Sequence, residues 1–274
     1  MKKIIQGIAL FALFFIPVAC GGGEKKSKYT SIKEEGKIVL GTSADYPPYE
    51  FHLQKDGKDE IVGFDISIAK EIAKDLGVEL VIKDMDFDGL LAALATGTVD
   101  MVLAGMTPTP EREQNVDFSN IYYIAEQGVL IRSADAALYG SSSESLKDKM
   151  LGAQRGTVQV EIAKKEIKGV AEKDLEDPHA QIKELAKIPD IVMELKNKKV
   201  DAVIMELPVA ESYQQAHSDL TLAAYTFKDE AGGSAIAVKK GENELLDVIN
   251  KTIIRLKSQG KIFEFVTAAN ELVE

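Results

Sequence analysis

The stretch VDMVLAGMTPTPER, residues 99–112, carries both the fold signal and the first candidate site. Val99 to Leu103 is an apolar run of strand length, and Thr109-Pro110 is typical of a helix start, with threonine as N-cap. The loop between them offers free backbone N–H groups, which attract anions at a helix N-terminus. Arg112 adds a guanidinium that can hold a carboxylate through two parallel hydrogen bonds. The stretch therefore predicts an α/β unit with a carboxylate-binding loop, although a surface ion pair with a neighbouring glutamate is the alternative for this arginine.

Strands and helices alternate around this stretch. The elements predicted before it are a strand at 38–42, a helix at 64–76, a strand at 78–82 and a helix at 88–96. Leu91–Leu94 then leads through a turn into Val99–Val102, which reads Val-Asp-Met-Val. About a hundred residues later, Val192–Leu195 leads through a turn into Val200–Val203, which reads Val-Asp-Ala-Val. One unit used twice predicts an α/β protein of two lobes, each a mainly parallel sheet flanked by helices.

The N-terminus has the features of an export signal. Lys2 and Lys3 precede an almost entirely apolar run over residues 4–19. This run is shorter than the roughly 20 residues that span a bilayer, so the sequence favours a cleaved signal peptide over residues 1–19 rather than a permanent membrane helix.

Cys20, the single cysteine of the chain, directly follows the signal. Its place after small residues resembles the lipobox of bacterial lipoproteins, although Pro17 stands where leucine is usual, and a leftover thiol is the alternative. Residues 20–36 are rich in Gly, Lys, Ser and Glu. We therefore expect a lipidated cysteine followed by a flexible tether.

Composition excludes several functional classes. The chain has 274 residues, of which 45% are apolar and 28% charged, as is typical of a soluble globular protein. Its net charge of −11 and its lack of a basic cluster argue against a nucleic-acid partner. The sequence has no Gly-rich phosphate loop or nucleophile elbow, and its histidines lack metal-ligand spacing, so we expect no cofactor and no metal.

Loops after other predicted strands add candidate residues. Thr157 begins a second helix, although by itself it is equally a simple helix cap. Glu206 follows the strand at 200–205, where an unpaired charge is costly, so we expect a partner such as an ammonium group; a solvated loop acid is the alternative. Tyr46 and Phe87 could enclose an apolar side-chain stem, but aromatic residues at such places are often plain core.

Five motifs together resemble solute-binding family 3, the polar amino acid-binding proteins of bacterial ABC importers. These are YPPYEF at 46–51, GFDISIA at 63–69, the stretch 99–112, DFS at 117–119 and Gly156-Thr157. The resemblance runs from about Lys37 to the C-terminus and implies a type II periplasmic-binding-protein-like fold with a two-strand hinge. Lobe 1 would comprise residues 37–124 plus 231–274, and lobe 2 residues 125–230.

The resemblance also implies the ligand contacts. Residues around Arg112 and Thr157 would hold the α-carboxylate of a free L-amino acid, and Glu206, where many relatives have aspartate, would hold its α-ammonium group. The implied set is Ser43, Tyr46, Phe87, Gly105, Met106, Thr107, Arg112, Gln154, Thr157, Val158 and Glu206. Ser43 replaces an aspartate common in binders of basic amino acids, Asp45 and Asp86 partly restore acidity, and Gln154 suits a polar uncharged or a basic group. Glutamine, arginine and similar ligands therefore stay open.

The resemblance implies a monomeric receptor on the extracytoplasmic face of the cell membrane, held there by its lipid anchor only. Hinge closure over the amino acid would present it to the permease subunits of an ABC importer. The runner-up is an enzyme on the same scaffold, such as a cyclohexadienyl or arogenate-type dehydratase, for which Glu206 is the only candidate acid. A sensor domain is less favoured, because the sequence offers no segment after Glu274 to carry a signal.

Overall fold

The computed structural model describes residues 26–171, 181–228 and 232–273, so the predicted signal peptide and Cys20 lie outside the described residues. The strands are β1 (Lys37–Thr42), β2 (Asp45–Tyr46), β3 (Glu50–Lys55), β4 (Lys58–Val62), β5 (Glu79–Asp84), β6 (Met101–Val102), β7 (Val116–Phe118), β8 (Gln127–Arg132), β9 (Leu151–Gln154), β10 (Ile182–Leu185), β11 (Ala202–Glu206), β12 (Leu220–Leu222) and β13 (Ala237–Lys239). The helices are α1 (Lys28–Glu35), α2 (Phe64–Leu76), α3 (Leu90–Thr96), α4 (Pro110–Glu113), α5 (Ala136–Tyr139), α6 (Val158–Ile162), α7 (Ile188–Lys196), α8 (Leu207–Ala216), α9 (Asn243–Ser258) and α10 (Lys261–Val273).

Two five-stranded sheets organise the chain. The first has the order β5-β1-β6-β13-β7, and the second has the order β10-β9-β11-β8-β12. In each sheet the first three strands are parallel, and the fourth strand is antiparallel to both of its neighbours. Helices flank both sheets, and α9 and α10 pack against α2. The predicted pair of α/β lobes is confirmed; lobe 1 denotes the part built on the first sheet and lobe 2 the part built on the second.

Two chain segments connect the lobes and run antiparallel to each other. Tyr123 pairs with Ser234, and Gln127 pairs with Phe227. Gln127 and Phe227 exchange two backbone hydrogen bonds, with N···O distances of 2.8 and 2.9 Å, and the Ser234 amide donates to the Tyr123 carbonyl. This is the two-strand connection that the fold prediction requires.

The repeated Val-Asp-x-Val unit has the same structural role in both lobes. Asp100 accepts a hydrogen bond from the Val39 amide at 2.9 Å, and its own amide donates to the Val39 carbonyl at 2.8 Å. In lobe 2 the Asp201 carboxylate accepts from the Met150 amide at 3.2 Å, and the Asp201 amide donates to the Met150 carbonyl at 2.6 Å. In each lobe the aspartate thus fixes the start of the neighbouring parallel strand, which explains why the unit occurs twice.

A β-hairpin formed by β3 and β4, with β2 alongside, was not predicted. Strand β4 is polar and mostly exposed, so it lacks the apolar alternation by which strands are recognised. The available signal was Asp56-Gly57, whose positive φ angles of 51° and 74° suit a two-residue hairpin turn. The hairpin carries Glu50 at its first position, next to the crevice described below.

The prediction of a flexible tether through residue 36 is wrong for residues 28–35, which form α1. Ser27 caps this helix by accepting from the Thr30 amide, and Gly36 ends it in a left-handed conformation. Ile32 is only 2% exposed and packs in the core of lobe 1. The Lys28 ammonium pairs with Asp100 at 2.8 Å, so α1 is an integral part of lobe 1.

We expect Ile32→Ala to lower the free energy of unfolding by about 2 to 5 kcal/mol, because it leaves a cavity beneath α1. Ile254→Ala on α9 is the matched control, since Ile254 is 58% exposed and should cost far less. Urea unfolding of both variants measures the difference. Equal stabilities would show that α1 does not dock on lobe 1.

Candidate ligand-binding site

A crevice that is partly open to solvent lies between the two lobes. It is bounded by the ends of parallel strands and by the loops that follow them, the usual place for a ligand in an open α/β sheet. Its lining residues are Ser43, Asp45, Tyr46, Glu50, Phe87, Ala104, Gly105, Thr107, Arg112, Gln154, Thr157, Val158 and Gln159. The structure therefore brings together most of the residues that the sequence singled out.

Two predicted residues do not line the crevice. The Met106 side chain is 1% exposed and packs in an apolar cluster with Phe87 and Leu90, so it does not face the crevice. Its carbonyl accepts from the Ala235 amide at 2.9 Å, which ties the loop to the strand region of β13. Glu206 is 2% exposed and contacts two tyrosines, Tyr46 and Tyr49.

Arg112 connects the two lobes across the crevice. Thr109 caps α4 by accepting from the Arg112 amide, as predicted, and this cap sets the start of the arginine's helix. The guanidinium donates to the Thr107 carbonyl at 2.7 Å and to the Gly156 carbonyl of lobe 2 at 2.8 Å. It also lies 5.3 Å from the ring centroid of Phe87, within cation–π range. Arg112 is thus held in place at the crevice by both lobes.

The loop before α6 forms the opposite wall. The Thr157 hydroxyl donates to the Gln154 carbonyl at 2.7 Å, so it stabilises the turn that leads into the helix. Gly156 has a φ of +76°, and a Cβ there would lie 3.0 Å from the Cβ of Asp88 in lobe 1. Only glycine fits this left-handed and closely packed position. The loop can therefore approach lobe 1 closely enough for the carbonyl contact with Arg112.

Asp45 ties β2 to lobe 2. Its carboxylate accepts from the Ser43 hydroxyl at 2.9 Å, from the Ile188 amide at 2.8 Å and from the Gln154 side-chain amide at 3.2 Å. Burial raises the pKa of Asp45, while these hydrogen bonds and the charge of Lys187 oppose the rise. Asp45 is a crevice residue that sequence reasoning noted only as a nearby acid.

Glu50 is the most informative residue that the sequence prediction missed. Its side chain is 0% exposed and lines the crevice, and its carboxyl group lies beside that of Asp65, another buried acid. Burial raises the pKa of Glu50 well above its ordinary value, and the charges of Asp65 and Asp45 raise it further. A buried acid at a cavity wall is costly unless something compensates its charge. The available signal was an acid between Tyr49 and Phe51, two aromatic residues.

Asp65 is a buried acid that holds the crevice loop at Gly105 in place. It accepts from the Gly105 amide at 3.0 Å and from the Tyr122 hydroxyl at 2.8 Å. Burial raises the pKa of Asp65 to about 6, while these two hydrogen bonds and one with the Glu50 side chain oppose the rise. Gly105 has a φ of +54°, and the hydrogen bond to Asp65 fixes its amide where the loop passes the crevice.

The two lobes and the polar crevice between them define a two-lobed binding protein of the periplasmic type. The family model of the bacterial extracellular solute-binding proteins, family 3, matches residues 38–267, and the chain belongs to this family. Its relatives bind small solutes for transport, and the chain is a binding protein rather than an enzyme. Among the described helices, none is both long enough and apolar enough to cross a bilayer.

Individual relatives cover nearly the whole chain. The "Arginine-binding extracellular protein ArtP" of Bacillus subtilis is 38% identical over 96% of this chain and 95% of its own length. The "ABC transporter glutamine-binding protein GlnH" of the same organism is 32% identical over 96% of each chain. A crystal structure of an amino acid ABC transporter substrate-binding protein from Streptococcus pneumoniae, bound to L-arginine, superposes with a TM-score of 0.82 at 36% identity. It covers 90% of this chain and 98% of its own.

Proposed function

We propose that this protein binds free L-arginine, or a closely similar basic amino acid, in the interlobe crevice and delivers it to an ABC importer. The observation that carries the basic side chain is Glu50, a fully buried acid at the crevice wall whose neighbouring charged groups are two further acids, Asp65 and Asp45. A guanidinium would supply both hydrogen-bond donors and a positive charge. The arginine named in the descriptions of ArtP and of the Streptococcus pneumoniae structure supports the same ligand.

The amino-acid backbone is assigned to the opposite side of the crevice. Arg112, Gly105, Thr107 and Thr157 line the crevice and would hold the α-carboxylate. Glu206, which ends β11 and contacts the crevice residue Tyr46, would hold the α-ammonium group. A guanidinium has five N–H donors, so its contacts with two carbonyls are compatible with a carboxylate contact. This arrangement binds a zwitterion from both lobes, which couples binding to closure.

The ligand side chain would run from the backbone site towards Glu50. Tyr46 and Phe87 line the crevice and are 7% and 8% exposed, so they can enclose an aliphatic stem while remaining part of the core. Ser43, Gln154 and Val158 complete the lining around it. We propose the first lobe boundary at residue 124, beside the connecting segments, and the second at residue 230, which lies outside the described residues.

Glutamine is the second candidate ligand. The amide of Gln154 lies in the crevice wall, and the description of GlnH names glutamine. However, that amide already donates to Asp45 and to the Ala186 carbonyl at 2.9 Å. A neutral ligand would leave Glu50 as a buried neutral acid, whereas a guanidinium can form a charge-assisted pair with its carboxylate, so arginine is favoured.

The cellular setting is proposed from the N-terminal sequence and the family. Cleavage after residue 19 and lipidation of Cys20 would hold a monomeric receptor on the extracytoplasmic face of the membrane. The permease subunits of the importer would then recognise the closed, loaded form. Metabolic labelling with a fatty-acid analogue tests the anchor, because Cys20→Ser should remove the label.

A thermal-shift panel tests the ligand. We expect arginine to raise the unfolding temperature most, and lysine, histidine, glutamine and the neutral arginine isostere citrulline to raise it less. A ligand at a hundred times its dissociation constant adds about 2.7 kcal/mol of stability. A larger shift with glutamine or citrulline than with arginine would overturn the basic-ligand proposal.

A further inference from the structure

Tyr49 is a fully buried tyrosine of lobe 1 whose ring is fixed by other aromatic residues. Its ring centroid lies 4.3 Å from that of Phe64, 5.5 Å from that of Tyr46 and 5.7 Å from that of Tyr123. The Tyr49 carbonyl accepts from the Asp65 amide at 3.0 Å, so the backbone is tied to the start of α2. Tyr49 therefore presents its hydroxyl from a rigid position.

That hydroxyl crosses the lobe interface. It donates to the Glu206 carboxylate, at the end of β11 in lobe 2. The Glu206 amide in turn donates to the Tyr46 hydroxyl at 2.9 Å, so two phenols of lobe 1 contact one residue of lobe 2. Tyr49 is not among the residues that line the crevice, so its hydroxyl acts on Glu206 and not on a ligand. This contact joins the lobes through protein groups alone.

We propose that the Tyr49 hydroxyl is an interlobe latch, a positioning residue that stabilises the closed arrangement and orients Glu206 without touching the ligand. Opening the lobes separates the phenol from the carboxylate and exposes both to water. A hydrogen bond to a charged group contributes more than a neutral one, about tenfold or more in an equilibrium constant. Because burial keeps the pKa of Tyr49 well above its usual range, the phenol remains a donor at physiological pH.

The latch has a consequence for affinity that rests on the proposed amino-acid binding. A ligand that requires the closed arrangement binds more weakly when the closed fraction falls, in proportion to that fraction. Removing the hydroxyl should therefore raise the dissociation constant without removing any ligand contact. The conformational effect itself needs no ligand and can be measured separately.

Tyr49→Phe removes one oxygen and keeps the ring, so it tests the latch. Tyr122→Phe is the matched control, because the Tyr122 hydroxyl also donates to a buried carboxylate, that of Asp65 at 2.8 Å, but within lobe 1. Spin labels are attached at Lys58→Cys in lobe 1 and Met193→Cys in lobe 2, two exposed positions, in a Cys20→Ser background. Pulsed dipolar spectroscopy then gives the interlobe distance distribution in the ligand-free protein.

We expect Tyr49→Phe to shift this distribution away from the wild-type closed distance, with an open-to-closed ratio about tenfold higher, while Tyr122→Phe matches the wild type. Glu206→Asp, which shortens the acceptor, should shift it in the same direction as Tyr49→Phe. Coincident distributions for Tyr49→Phe and wild type, or an equal shift in Tyr122→Phe, would overturn the latch. Since no amino acid is added, a negative thermal-shift panel would refute the proposed function without affecting this result.

Discussion

Arg112→Ala should abolish the thermal shift that the cognate amino acid produces, while the variant remains folded. Removing one partner of a buried charge pair costs about 2 to 5 kcal/mol, roughly 30-fold to several thousand-fold in the dissociation constant. We expect the loss of affinity in Arg112→Ala to lie near the upper end of this range, because the Arg112 guanidinium also donates a hydrogen bond to the Gly156 carbonyl of lobe 2. The variant thus loses a carboxylate contact and an interlobe contact together. Isothermal titration calorimetry measures the loss.

Arg155→Ala is the matched control for this experiment. Arg155 is an arginine next to the crevice loop of lobe 2, is half exposed, and pairs with Asp88 at 3.5 Å. A pair of this kind contributes little, so its loss should change the dissociation constant by less than about fivefold. An unaltered shift in Arg112→Ala, or an equal loss in both variants, would mean that the α-carboxylate is bound elsewhere.

The parts of the fold that depend on local chemistry could be predicted from the sequence. The cap at Thr109 and the proline after it specify where α4 begins, and the structure confirms both. The repeated Val-Asp-x-Val unit indicated two similar lobes, because its aspartate performs a local task at a strand start in each. Such features need only neighbouring residues, and for that reason their patterns are visible in the chain.

The parts that depend on distant contacts could not be predicted. Glu206 meets Tyr46 and Tyr49 across about 160 positions of the chain, so no spacing indicates that these three residues touch. The sequence indicated Glu206 as an acid in a loop after a strand, and the structure adds that it is 2% exposed and packed against these two tyrosines. Likewise, α1 has few apolar residues, and its docking depends on the core that Ile32 enters. Tertiary packing decides these cases.

Glu50→Gln should weaken arginine binding by at least about 30-fold, because it removes the buried negative charge opposite the guanidinium. Citrulline has the shape of arginine but a neutral ureido group, so its affinity should be unchanged or improved. The ratio of arginine to citrulline affinity therefore falls, which a general loss of folding or of backbone binding would not produce. Glu60→Gln, an exposed acid of the same hairpin, is the control and should keep the wild-type ratio.

Proton release provides a second measure of the same contact. Burial and the neighbouring acids raise the pKa of Glu50 well above its ordinary value, so the ligand-free site favours the neutral acid. A bound guanidinium favours the carboxylate and lowers that pKa, so arginine binding should release a proton and tighten as pH rises towards the ligand-free pKa. Calorimetry in two buffers of different ionisation enthalpy measures the release. Proton release should be absent when citrulline binds and when arginine binds to Glu50→Gln. Release that persists in Glu50→Gln would mean that a different acid titrates and contacts the ligand's basic side chain.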